Sequence, residues 1–120
     1  MTRRELDVLD VSPAACCTPL ADVGMSEEDA LVTAGVLKAL ADPGRVRIVN
    51  LLATAGGPVC VCDLTPQLDL SQPTVSFHLK KLLNAGLIHR EQRGIWAYYS
   101  IDRDVIDRLA TVFRMKEVTA

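Results

Sequence analysis

Residues 69–81 read DLSQPTVSFHLKK, and where this stretch starts a helix decides the fold. Ser71 is a good N-cap, and Pro73 falls in the first turn, where its missing N–H removes no intrahelical bond. The helix therefore begins near Gln72. At about 100° per residue, Val75, Leu79, Leu82, Leu83 and Gly86 gather on one side, while Pro73, Thr74, Phe77, Lys80, Lys81 and Asn84 gather on the other. The outer side carries hydroxyl, aromatic and lysine groups and no carboxylate. That chemistry suits a partner covered in phosphates.

Upstream, Pro58 to Val61 is short and β-branched and predicts a brief strand. Cys62 or Asp63 then opens a short helix to Leu68, and Asp69-Leu70 forms the turn into the helix at Gln72. Two short helices joined by a tight turn make a helix-turn-helix. Downstream of Ala85-Gly86, Leu87 to Glu91 and Ile95 to Ile101 predict two strands around Gln92-Arg93-Gly94, a wing with arginine at its tip. Trp96, Tyr98 and Tyr99 are assigned to strand packing. Further upstream, Ser26 caps a helix running through Leu31, Val36, Leu37 and Leu40, with Asp29 at the capping-box position. Asp42 caps the next helix, with Pro43 at its first position. It extends to about Ala55, ends at Gly56-Gly57, and should bury Val46, Ile48, Val49 and Leu52. A last helix from Asp102 to about Lys116 spaces Val105, Ile106, Leu109, Val112 and Phe113 along one stripe that a second subunit can cover. The fold expected is mainly α with a small β-hairpin, a dimeric winged helix-turn-helix.

With 120 residues, 49% hydrophobic and 23% charged, the chain suits one globular domain. No apolar run approaches the roughly 18–20 residues that span a bilayer, and Met1 to Leu20 carries acids where a signal peptide is apolar. A cytoplasmic protein with no membrane partner is expected. Net charge is −2, so its distribution matters more than its sum. Residues 71–93 hold Lys80, Lys81, Arg90 and Arg93 against Glu91 alone, and that positive segment is the outer helix and the wing. Residues 1–25 mix charges, two prolines and a glycine without a period, which predicts a mobile arm followed by a folded domain over 26–120. The four cysteines, Cys16-Cys17 and Cys60-x-Cys62, are expected as free thiols rather than a disulfide framework.

The order helix, helix, strand, helix-turn-helix, hairpin, helix resembles the winged-helix repressors of the ArsR/SmtB family. Leu37 to Pro43 with Arg45 to Ile48, Cys60-Val61-Cys62-Asp63-Leu64, Ser71 to Ser76, and His78-Leu79-Lys80 through Gly86-Leu87 carry the likeness, and they stand at the expected spacing. The resemblance implies a homodimer on an imperfect palindrome of double-stranded operator DNA, released when a metal or metalloid ion binds, and not an enzyme. Two-fold symmetry would set two recognition helices in successive major grooves, about 34–36 Å apart. Gln72, Thr74, Phe77 and His78 are candidates for base edges, Phe77 against a thymine methyl. Ser71 and Ser76 belong to the same DNA-binding set. Lys80, Lys81, Arg90 and Arg93 are assigned to phosphates.

Cys60 and Cys62 would lie about 200° apart on a regular helix and could not grip one ion. Their pair must therefore straddle the strand-to-helix junction, where the positive helix end favours thiolate. Soft sulfur ligands select arsenite or antimonite with three sulfurs, or Cd(II), Pb(II) and Zn(II) with up to four. A Cys-x-Cys-Asp box on this helix resembles the inducer site of the family's arsenite and cadmium/lead branches, and adjacent Cys16-Cys17 resembles actinobacterial-type arsenite repressors. As(III) is the inducer expected, held by Cys16, Cys17, Cys60 and Cys62; an S4 site for Cd(II), Pb(II) or Zn(II) is the alternative. Those arsenite relatives carry their remaining thiol before this box, where the present chain has Gly56-Gly57-Pro58. Whether Cys60, Cys62 or both ligate is thus open. A zinc site on the terminal helix is unsupported, since Asp102 to Ala120 holds no histidine. A thiol redox sensor or enzyme is the competing class, but neither pair has the two-residue spacing or βαβ setting of a redox motif.

Overall fold

The computed structural model describes residues 24–115 and 117. The proposed arm with Cys16 and Cys17 lies outside the described residues, as does Lys116. Five helices and three strands follow in the order α1 (Glu27–Leu40), α2 (Pro43–Ala55), β1 (Val59–Cys60), α3 (Val61–Leu68), α4 (Gln72–Asn84), β2 (Ile88–Arg93), β3 (Trp96–Ile101) and α5 (Arg103–Val112).

Polar caps set the helix starts. Ser26 Oγ accepts from Asp29 N at 3.0 Å. Asp42 Oδ2 accepts from Gly44 N at 2.9 Å and Arg45 N at 3.3 Å, directly ahead of Pro43. Ser71 Oγ accepts from Thr74 N at 3.4 Å, and Asp102 Oδ1 from Val105 N at 3.0 Å. Each bond satisfies an amide that has no intrahelical partner. The bond from Val105 N also holds the Asp102 carboxyl below its usual range, and His89, with Nε2 2.9 Å from Asp102 Oδ2, adds to the effect. Gly56 ends α2 in the left-handed region at φ 77°, where a side chain would be strained.

The helix-turn-helix is α3 and α4, joined through Asp69, which takes φ 55° at the end of α3. The core is built from Ile48 and Leu52 of α2, Leu64 and Leu68 of α3, Val75, Leu79 and Leu82 of α4, and Leu87 and Ile88 entering the wing. Val46 differs from expectation. It is 51% exposed, because the inward side of α2 is carried by Ile48 and Leu52, with Val49 partly buried against the same cluster.

The strands form one antiparallel sheet in the order β1-β3-β2. The first wing strand runs two residues past its expected end and the second starts one residue later than expected: Arg93 faces Trp96, which leaves Gly94-Ile95 as a two-residue turn. Gly94 has φ 63°, the first central position of a turn that demands glycine. Arg93 thus ends a strand rather than sitting at the tip. The short upstream strand joins this hairpin, with Val59 opposite Tyr99 and Cys60 opposite Tyr98. That pairing fixes the start of α3 to the base of the wing.

α5 is shorter than expected, ending at Val112. Val105, Ile106 and Leu109 pack partly against the core, whereas Val112 and Phe113 are exposed. Leu31, Val32 and Leu37 of α1 are exposed as well, and only Val36 of that helix is buried. The two terminal helices therefore show apolar side chains to solvent. Replacing fully buried Ile48 by alanine should cost about 2–5 kcal/mol of unfolding free energy, while Val46→Ala should stay within about 0.5 kcal/mol. Urea denaturation of the two variants checks the assignment, and equal losses would contradict it.

Candidate nucleic-acid interface and thiol site

The outer side of α4 is open as the sequence periodicity requires. Gln72, Ser76, Lys80 and Lys81 are exposed, Thr74 is half-buried, and Phe77 is 55% exposed. Ser71 and Thr74 hydroxyls bond each other at 2.8 Å at the helix start. Lys81 Nζ lies 5.3 Å from the Phe77 ring centroid, within reach of a cation–π contact that steadies both side chains. Phe77 thus stands out from the outer face of α4 with a lysine beside it.

His78 does not belong to that face. It is 8% exposed, and its ring lies between two residues of the α2 start. Arg45 Nη1 approaches His78 Nδ1 at 3.1 Å, and Asp42 Oδ2 lies 3.4 Å from His78 Nε2. An arginine can only donate, so Nδ1 accepts and the ring proton sits on Nε2, the nitrogen nearer the carboxylate. Contact with a base edge is therefore corrected to an internal polar link. The signal was available in the spacing, because residue 78 falls three after Val75 and four before Leu82, on the inward side.

On the wing, Arg90 Nη2 donates to Gln92 Oε1 at 2.7 Å, and Gln92 Nε2 donates to Gly94 O at 2.9 Å. Arg93 Nη2 lies 3.2 Å from Glu91 Oε1 and its guanidinium 4.4 Å from the Tyr98 ring centroid. The bond to Glu91 raises the Arg93 pKa. Both arginines are exposed, and an exposed pair of this kind gives way cheaply to a phosphate. Arg90 has only a neutral amide to leave.

The thiols meet at the junction of β1 and α3. α3 begins at Val61, one or two residues earlier than expected, with Cys60 itself as the N-cap in extended conformation, φ −68° and ψ 139°. Its Sγ takes the place of a capping oxygen and accepts from Cys62 N at 3.3 Å. This puts Cys62 in the first turn with its sulfur on the same side, and the Cα atoms stand 5.2 Å apart, within the span a disulfide bridges. The structure brings the two sulfurs together: the cap turns both to one side despite their near adjacency. As thiols, the two form a dithiol at a positive helix end. Cys60 is 4% exposed, whereas Cys62 is exposed.

Cys62 opens onto a groove of about 680 Å³ lined also by Thr65, Asp69, Ser71, Gln72 and Trp96. Trp96 is 48% exposed there rather than packed in the sheet. The groove thus reaches from the sulfur pair to the first residues of α4. Among the described residues no cluster of three or more His, Cys, Asp or Glu side chains surrounds a common point. The donor set at the junction is two sulfurs, which fits a soft ion completed by ligands from elsewhere.

Two packed short helices, an outer face without carboxylates and a basic β-hairpin define a winged helix-turn-helix. Bacterial regulatory proteins of the arsR family match residues 42–90. The chain is 40% identical over 84 residues to the arsenical resistance operon repressor of Bacillus subtilis, covering 66% of this chain and 79% of that protein. Against the cadmium resistance transcriptional regulatory protein CadC homolog of Staphylococcus aureus the identity is 34% over 85 residues, covering 71% and 69%. The solution structure of a homodimeric winged helix-turn-helix DNA-binding domain from Mycobacterium bovis, a possible ArsR-family transcriptional regulator, superposes with a TM-score of 0.61. Identity there is 32%, over 76% of this chain and 86% of that fragment. The chain belongs to the ArsR family, and is a DNA-binding transcriptional regulator rather than an enzyme.

The chain has one tryptophan, so its fluorescence reports on the groove beside Cys62. Adding Cd(II) or As(III) to the reduced protein should change Trp96 emission, and Cys62→Ser should abolish the change. An unchanged emission in a parent protein shown to have bound the ion would contradict an ion site at Cys62.

Proposed function

We propose that the chain is a homodimeric repressor that holds its operator in the ion-free state and lets go when its cysteine thiolates take up As(III). The observation that carries this reading is the meeting of Cys60 and Cys62 at the start of α3, one helix before α4. An ion held there sits on the element that leads into the reading helix. Similarity to an arsenical resistance operon repressor supports As(III) over other ions.

Two sulfurs do not complete a pyramidal As(III) site, which takes three. Cys16-Cys17 supplies the remainder in this reading, as part of an arm that reaches the junction within or across the dimer. Antimonite shares the geometry. The cadmium resistance relative favours a second reading, an S4 site in which all four cysteines hold Cd(II), Pb(II) or Zn(II).

Gln72, Thr74, Ser76 and Phe77 are the side chains proposed to meet base edges, with Ser71 at the phosphate-facing helix start. Lys80, Lys81, Arg90 and Arg93 neutralise phosphates on either side. The apolar side chains exposed on α1 and α5 suit burial against a second copy, which would set two reading helices across a two-fold axis.

Operator DNA labelled for fluorescence anisotropy tests the switch. As(III) should weaken binding by the reduced protein by about 5–150-fold, the range of an ordinary coupling of 1–3 kcal/mol. The Cys60→Ser/Cys62→Ser protein should bind the operator and ignore the ion. Stronger release by Cd(II) or Pb(II) would favour the four-sulfur reading, and unchanged affinity with every ion would refute the switch.

A further inference from the structure

Two arginines of α2, placed two residues apart, each hold one helix of the helix-turn-helix. Arg45 bridges backwards and forwards: its Nε donates to Ala39 O at 2.6 Å and its Nη1 to His78 Nδ1 at 3.1 Å. α4 is thereby tied to the junction of α1 and α2. Gly44 packs so closely that a Cβ there would lie 2.9 Å from His78 Nε2, so the histidine has little room to shift. This link is partly buried.

Arg47 holds the other helix. Its Nη1 donates to Leu68 O at 3.1 Å and its Nη2 to Gln67 O at 2.9 Å. These are carbonyls of the last turn of α3, which have no intrahelical donor. A guanidinium there both satisfies them and meets the negative end of the helix. The planar fork spans two oxygens at once, which a lysine ammonium does not do. The residue is exposed, so its contribution to the hydrophobic core is small.

α3 is only Val61–Leu68. Its first turn carries Cys62 beside Cys60, and its last turn is fixed to α2 by Arg47. Movement imposed at the sulfur end must be taken up at that fixed end or passed through Asp69 into α4. We infer that Arg47 is a positioning residue whose grip on the Gln67 and Leu68 carbonyls makes α3 a lever pivoted on α2, so that ion loading at the sulfurs is felt by the reading helix. This rests on the ion-release reading above. Arg45 with His78 sets where α4 stands, and Arg47 sets how α3 moves it.

The test uses the full-length reduced protein and its Arg47→Gln and Arg47→Lys variants, with As(III) as the ion. Operator affinity is measured with and without the ion and at several salt concentrations. In Arg47→Gln the ion-free protein should bind with an unchanged salt slope, while the factor by which As(III) weakens binding falls about fivefold or more. Arg47→Lys should fall between it and the parent. Hydrogen exchange at residues 67–70 should quicken in the ion-free Arg47→Gln protein, a readout independent of the ion. Should the glutamine variant fail to fold, the lysine variant with its charge retained decides by the same measures.

A salt slope reduced by about one would make Arg47 a phosphate contact and overturn the inference. So would a release factor equal to the parent's. A parent protein that keeps its operator in As(III) overturns the inducer reading itself, and the lever with it; a released parent with an equally released variant overturns the lever alone.

Discussion

Cys60 is a strand end and a helix cap at once and, in the function proposed above, a sulfur ligand as well, and the geometry around the thiols follows from that overlap. On a continuous helix residues two apart diverge. Here the first of the two stays in the extended region and caps the helix through its own sulfur, so the periodicity is broken where the second begins. Convergence of the sulfurs is a by-product of capping. The same residue is paired in the sheet opposite Tyr98, so a disturbance at the junction meets the wing on one side and α3 on the other.

α2 is the frame against which those elements stand. Its inward residues Ile48 and Leu52 fill the centre of the core, its cap residue Asp42 lies beside the recognition-helix histidine, and its two arginines reach the middle of α4 and the last turn of α3. Apolar burial supplies the bulk of the stability but is indifferent to small sliding. Polar links with defined partners fix the angle. An allosteric repressor needs both properties: a core that survives the shift, and a small number of directional bonds that register it.

Much of this was legible in the sequence because caps and breakers are local. Ser26, Asp42-Pro43, Gly56 and Ser71 each fix a helix end through chemistry within a few residues, and all four stand where the sequence places them. The tertiary choices were less legible. Val46 has the composition of a core residue, and only the packing of α3 and α4 decides that Ile48 and Leu52 face inward as expected while Val46 stays exposed. His78 looked available because histidine suits base edges, yet its inward spacing and the nearby Arg45 gave it a partner 33 positions away. Trp96 has the pattern of a sheet-packing residue, yet it stands half-open in the groove beside Cys62, a tertiary placement that no local pattern announces. The site itself was half legible: the Cys-Val-Cys-Asp box located the junction, while the union of its sulfurs depended on Cys60 being the cap.

Coupling between an ion site and a DNA-reading helix is reciprocal by thermodynamic necessity. The direct measurement is the As(III) affinity of the reduced protein alone and on its operator, taken by competition with a small dithiol. Operator-bound protein should hold As(III) more weakly by the same factor that As(III) weakens operator binding. Equal affinities in the two states would contradict any link between the sulfur pair and the reading helix.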